Sequence, residues 1–182
     1  MKKIISCALF VGSVFCSINA SAECLDNAEV KVDDFSKKTT VISGTCKENP
    51  NPSWKYEWTM SYLISVKPDS YSLVMSVNYE DKGWRRYLAA VDDSGNSYTG
   101  PIDRKVSRCS GVFCSYSETM IVDLTLKQVE TIAEKGLNIR MDSANPIVST
   151  MNPKGENNRI FQLPASQVRN FLDSYKSAYS IK

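Results

Sequence analysis

From Trp54 to Leu124 the apolar side chains return, run after run, at every second position, and that period sets what the chain folds into. Trp54, Tyr56, Trp58, Met60 and Tyr62 share one parity, with Lys55, Glu57, Thr59 and Ser61 on the other. Tyr71, Leu73, Met75, Val77 and Tyr79 repeat the pattern, as do Tyr116, Met120, Val122 and Leu124. A two-residue period puts alternate side chains on opposite sides of an extended backbone, so each run predicts a strand with one buried face. Lys67-Pro68-Asp69-Ser70, Glu80-Asp81-Lys82-Gly83 and Asp92-Asp93-Ser94-Gly95 supply turn residues between the runs. A further strand is expected from Trp84 to Val91, and an extended passage from Ser97 to Arg108. Strands joined by short turns pair antiparallel, which predicts an antiparallel sheet or sandwich.

The period changes after Leu124. Leu126, Val129, Ile132 and Ala133 form a helical stripe, with Thr125 and Gln128 spaced as a capping box and Gly136 placed for a left-handed C-terminal cap. Leu137 to Met141 reads as a strand. Pro164 suits the first position of a second helix, whose stripe is Val168, Phe171, Leu172, Tyr175 and Tyr179. Glu48 to Pro52, Asn145-Pro146 and Asn152 to Gly155 read as loops. The expected class is α+β, mainly β, with two late helices.

The N-terminus supplies an address. Lys2 and Lys3 precede an apolar run from Ile4 to about Ile18, and Ala20-Ser21-Ala22 is a small-x-small site. This is the three-part layout of a secretory signal, and its roughly 15 apolar residues are too few to span a bilayer. Cleavage is expected after Ala22, leaving 23–182 as a single domain, periplasmic or secreted. A lipoprotein site needs a small residue before its cysteine; Phe15 stands before Cys16, so no lipid anchor is expected, and Cys7 belongs to the apolar run. The excess of 22 basic over 20 acidic residues rests on Lys2 and Lys3 alone. The mature domain is near neutral, which removes the argument for nucleic acid or anionic lipid as a partner.

Four cysteines remain, and in an oxidising compartment they read as two disulfides. Of three connectivities, proximity in sequence favours Cys24–Cys46 and Cys109–Cys114. Four residues separate Cys109 from Cys114 and the chain has no histidine, so neither a redox pair nor a metal site nor any cofactor is expected. The absence of histidine also removes Ser-His-Asp and Cys-His machinery. Hydrolysis by paired carboxylates would draw on Glu57, Glu80, Asp92, Asp103, Glu118 and Asp123. With 20 acids in the chain, however, some close pair arises in almost any fold. No enzyme is expected.

Three constellations stand out. Glu118 shares the parity of Tyr116, Met120 and Val122, which points a carboxylate into an apolar face. Such a group needs a cationic partner, and Arg104 and Arg86 are the candidates, either as a buried pair or around a polar pocket. The row Trp54, Tyr56, Trp58 is expected in the core, whereas co-planar exposed rings would make it a stacking platform; the sequence leaves that open. Ser94-Gly95-Asn96-Ser97-Tyr98 matches the Ser-Gly-x-x-Tyr signature of periplasmic lysozyme inhibitors through Ser94, Gly95 and Tyr98, and is also ordinary turn chemistry.

The segment from Trp84 to Gly136 runs Trp84-Arg85-Arg86-Tyr87, Ala90, Asp92 to Gly95, Ile102-Asp103-Arg104, Cys109, Cys114, Glu118, then a helix ending before Arg140. It resembles a loosely defined group of exported bacterial proteins and lipoproteins of unknown function, sharing a Trp-Arg-Tyr strand, an Asp-Arg step, a cysteine pair and a Glu-bearing strand. The resemblance implies a fold and no activity. The expected function is a non-enzymatic exported protein acting through protein contacts, as an accessory or assembly factor. A lysozyme inhibitor and a carbohydrate-binding module are the alternatives.

Overall fold

The computed structural model describes residues 23–48, 57–144 and 158–180. The expected secretory leader, Trp54, Tyr56 and the expected loops at 49–52, 145–146 and 152–155 lie outside the described residues. In chain order the strands are β1 (Glu23–Cys24), β2 (Glu29–Val32), β3 (Thr39–Ile42), β4 (Cys46–Glu48), β5 (Trp58–Ser65) and β6 (Tyr71–Asp81). Then follow β7 (Tyr87–Asp92), β8 (Ser97–Tyr98), β9 (Ile102–Ser110), β10 (Phe113–Leu124), helix α1 (Leu126–Lys135), β11 (Leu137–Ser143), β12 (Arg159–Leu163) and helix α2 (Ala165–Ser180). Every strand pairing is antiparallel.

An eight-stranded sheet runs β1-β4-β5-β6-β10-β9, with β3 also on β5 and β2 outside it; a four-stranded sheet runs β12-β11-β7-β8. The backbone of the large sheet is the ladder between β6 and β10, in register from Tyr71↔Leu124 to Asp81↔Cys114. Its inward side chains are those the alternation picks out: Leu73, Met75, Val77 and Tyr79 on β6, and Tyr116, Met120, Val122 and Leu124 on β10, all buried. They share one core with Tyr87, Ile139, Met141, Phe161 and Leu163 of the small sheet and with Val129, Ile132, Val168 and Phe171 of the helices. Removing this much apolar surface from water is the main stabilising term. Two disulfides, Cys24–Cys46 and Cys109–Cys114, close the N-terminal strand onto β4 and the β9–β10 turn.

On β5 the expected face is reversed. Glu57, Thr59, Ser61, Leu63 and Ser65 point inward and are buried, while Trp58, Met60, Tyr62 and Ile64 are half-buried on the outer side. Three of the inward side chains, Thr59, Ser61 and Ser65, are small and hydroxyl-bearing, and β5 lies close to β12: Ser61 Oγ donates to the Gln162 carbonyl at 2.9 Å. A hydroxyl that finds a partner is buried at little cost, so polarity there does not mean solvent.

Other expectations shift by a few residues. The strand expected from Trp84 begins at Tyr87, because 82–86 form the loop that carries the chain from one sheet to the other. The capping box at Thr125 and Gln128 is formed. Gly136 has φ 77° but ψ −178°, so the helix ends in an extended glycine conformation rather than a left-handed cap. Pro164 precedes α2, and its carbonyl accepts from Val168 N at 3.3 Å.

Candidate functional site

The loop 82–86 is wrapped by buried charges. Arg86 has φ +58°, a conformation uncommon for a side-chain-bearing residue. This turn sends Arg85 inward and leaves Arg86 exposed. The side chain of Arg85 is buried, its Nη1 donating to Glu57 Oε1 at 2.6 Å and its Nε to Asp81 Oδ2 at 3.3 Å. Arg159, at the start of β12, donates to the same Glu57 oxygen through Nε at 2.5 Å and through Nη2. The Arg85 guanidinium also lies 4.3 Å over the Tyr79 ring, a cation–π contact. Burial alone pulls the Arg85 pKa down, but the hydrogen bond and charge of Glu57 outweigh it, so the net shift is upward.

Tyr79 links this cluster to a second one. Its hydroxyl accepts from Arg85 N at 2.9 Å and donates to Glu118 Oε1 at 2.5 Å. Burial and the Glu118 carboxylate push the phenol pKa up, against the Arg85 N–H that pulls it down, and the group therefore stays a donor. Glu118 is 0 % exposed. Its Oε1 also accepts from Arg86 N at 3.0 Å, and its Oε2 from Tyr87 N at 3.2 Å and Arg104 Nε at 2.9 Å. Arg104 is the residue directly across from it on β9. Arg86 contributes its backbone N–H and not its guanidinium, which corrects the expectation of a second ion-pairing arginine; Arg85 takes the buried place instead.

Three carboxylates (Glu57, Asp81, Glu118) therefore meet three guanidinium groups (Arg85, Arg104, Arg159). Every carboxylate is held by charge-assisted donors, and no buried side-chain nitrogen or oxygen among the described residues lacks a partner. Of the six, sequence reasoning singled out only Glu118 and Arg104 as a pair. The signal for Glu57 was its place opposite the aromatic row; nothing local marked Arg85 or Arg159.

The aromatic row has only Trp58 among the described residues. It is half-buried, and Lys47 Nζ lies 4.9 Å over its ring, occupying a face on which a sugar would stack. Beside it on the outer face of the large sheet come Met60, Tyr62 and Ile64, then Val74 across from Tyr62 and Ile121 across from Val74. Ile121 is 38 % exposed.

Ser94, Gly95 and Asn96 form the exposed tip of a turn organised by Asp92. Asp92 Oδ1 accepts from Ser94 N (2.9 Å) and Asn96 N (2.8 Å), and Oδ2 accepts from Asn96 Nδ2 and from the Tyr98 hydroxyl, both at 2.9 Å. Gly95 has φ +84°. The Tyr98 hydroxyl is thus committed to the turn itself, leaving Ser94 and Gly95 as the outward part of the Ser-Gly-x-x-Tyr match.

Among the described residues no three His, Cys, Asp or Glu side chains are placed to hold a metal ion, and no helix is long and apolar enough to cross a membrane. No family model, curated protein or solved structure matches this chain.

Proposed function

We propose that the protein is exported and acts as a non-enzymatic accessory or assembly factor through protein contacts. The observation that carries this reading is the outer face of the large sheet, where Trp58, Met60, Tyr62 and Ile64 form a partly solvated apolar row on β5 and Ile121 lies two strands away across the buried Val74. Apolar surface of this kind marks interaction sites. The buried carboxylates, each bound by arginine, serve the scaffold. The leader sequence and the two disulfides support an oxidising compartment.

The test is affinity capture from periplasmic extract with the chain starting at Glu23, beside a Tyr62→Lys/Ile121→Lys variant. A partner retained by the first and lost by the second, at equal melting temperature, supports the reading. Equal retention by both moves the contact off this face, and capture of nothing by either defeats the proposal. A lysozyme inhibitor is the second reading, favoured by the exposed Ser94-Gly95 tip. It requires loss of lysozyme activity in the presence of the protein and recovery with Ser94→Arg.

A further inference from the structure

The outer edge of the large sheet is closed at one side by short strands and left long at the other. β1 has 2 residues and β2 has 4, and in the small sheet β8 has 2 and β12 has 5. β9 ends the strand order of the large sheet with 9 residues, and beyond it lies no strand among the described residues. Except for Ile102 its residues are exposed. A strand edge presents unpaired backbone donors and acceptors that template a further strand.

The side chains on β9 select what that strand would be. Arg104, Lys105 and Arg108 stand against a single acid, Asp103, which pairs with Lys105 at 2.9 Å. Arg104 is fixed through Nε on Glu118 and through Nη2 on the Tyr87 carbonyl at 3.4 Å. Its side chain is still 34 % exposed and its Nη1 has no partner among the described residues. Arg108 forms no ion pair among the described residues. Val106, on the same face as Arg104 and opposite Tyr116, is 49 % exposed. A second copy is a poor occupant, since pairing β9 with β9 sets these cations against one another, and like charges directly opposite destabilise a ladder. The Cys109–Cys114 disulfide and the paired length of β10 hold the edge in its extended form before any ligand arrives.

We propose that β9 accepts an extended acidic segment of a protein partner as an added strand, with carboxylates meeting Lys105 and Arg108 on the outer face and an apolar residue meeting Val106 on the other. This is recognition by strand addition, in which main-chain hydrogen bonds give affinity and alternate side chains give specificity. The inference rests on the protein-contact reading above and adds to the outer face a second contact, at an edge and selected by charge.

The probe is a capped peptide of alternating Glu and Val, seven residues long by design to match a typical strand of about 5–6, added to the isotope-labelled 23–182 chain and followed by amide chemical shifts. The expected result is saturable shifts concentrated at 102–110. A Lys-Val peptide, a Glu-Val peptide N-methylated along one edge, and the protein variant Lys105→Glu/Arg108→Glu should each bind at least about ten-fold more weakly, or about 1.4 kcal/mol. Absence of shifts with about 1 mM peptide overturns the proposal. So does equal binding of the N-methylated peptide, which would mean ionic attraction without strand pairing. Shifts centred on 58–64 instead would overturn the β9 assignment and leave the protein-contact reading standing.

Discussion

Glu118 gathers four donors onto two oxygens: a tyrosine hydroxyl, two backbone N–H groups and one arginine. An amide at this position keeps one acceptor but turns an NH2 toward donors. Glu118→Gln is therefore expected to cost about 3–5 kcal/mol, as loss of one member of a buried pair does. Arg104→Leu should cost less, since a third of that side chain is in solvent. The double replacement Glu118→Leu/Arg104→Leu should cost less than the sum of the single Leu variants, but it will not return to the parent stability. Tyr79 and two backbone N–H groups remain without an acceptor, at about 1–3 kcal/mol each. Urea unfolding of the Leu cycle measures the coupling; additivity within about 0.5 kcal/mol would show that the two charges act independently. At this scale the sequence was readable in part. The parity of β10 places Glu118 inward, and register alone sets Arg104 across from it. Arg85 was not readable, because its burial depends on the positive φ of the residue after it.

Among the elements, those with local rules match the sequence reading closely. The α1 capping box follows from Thr125 and Gln128, and Thr125→Ala is expected to lower stability by about 1 kcal/mol, measured by thermal unfolding. The β5 face was misread because alternation ranks side chains by hydrophobicity, whereas the contact with β12 selects for small size and an available hydroxyl. The break between β3 and β4 was equally hidden. There Ser43 Oγ accepts from Leu63 N at 2.8 Å in place of a backbone carbonyl, and Ser43 N donates to the Leu63 carbonyl, also at 2.8 Å. A Cβ on Gly44 would lie 1.5 Å from the Leu25 carbonyl oxygen, so Gly44→Ala should abolish the β1–β4 pairing, seen as loss of amide protection at 23–25 and 45–47. The Asp92 turn gives a pH dependence. Slight burial would raise the Asp92 carboxyl, but hydrogen bonds from Asn96, Tyr98 and Ser94 outweigh it and hold the group below the usual carboxylate range. A pKa lowered on folding stabilises above the unfolded value of about 3.9 and loses that contribution as pH falls through the folded value. Burial and the same Asp92 contact push Tyr98 up to about 12, so its contribution is full below the unfolded value of about 10 and disappears as pH rises through the folded one. The turn should open at both extremes, followed by the Asn96 amide signal, and Asp92→Asn should flatten the acid limb.

At the scale of the whole molecule, one carboxylate ties the two sheets together. Glu57 leads into β5 of the large sheet, Arg159 opens β12 of the small one, and Arg85 sits on the loop connecting them; both guanidinium groups end on Glu57 Oε1. Glu57→Gln removes the shared carboxylate from Arg159 and Arg85 and leaves Asp81, at 3.3 Å, as the carboxylate paired with Arg85. The expected cost is about 3–5 kcal/mol, a large fraction of the roughly 5–15 kcal/mol that holds a domain together. A general loss of stability would not by itself identify a staple between sheets, so the distribution of the loss is the informative quantity. If Glu57 joins the sheets, hydrogen exchange should accelerate most in β11 and β12, whose other ties to the large sheet include apolar packing and the Ser61 hydroxyl. The β6–β10 ladder, which is long and whose described residues make no hydrogen bond or ion pair with Glu57, should keep most of its protection. Glu80→Gln, on the exposed outer face, is the control and should stay within about 0.5 kcal/mol of the parent. Uniform acceleration across both sheets would mean that Glu57 stabilises one cooperative unit without joining two, and unchanged protection in β12 would mean that packing alone holds the small sheet in place.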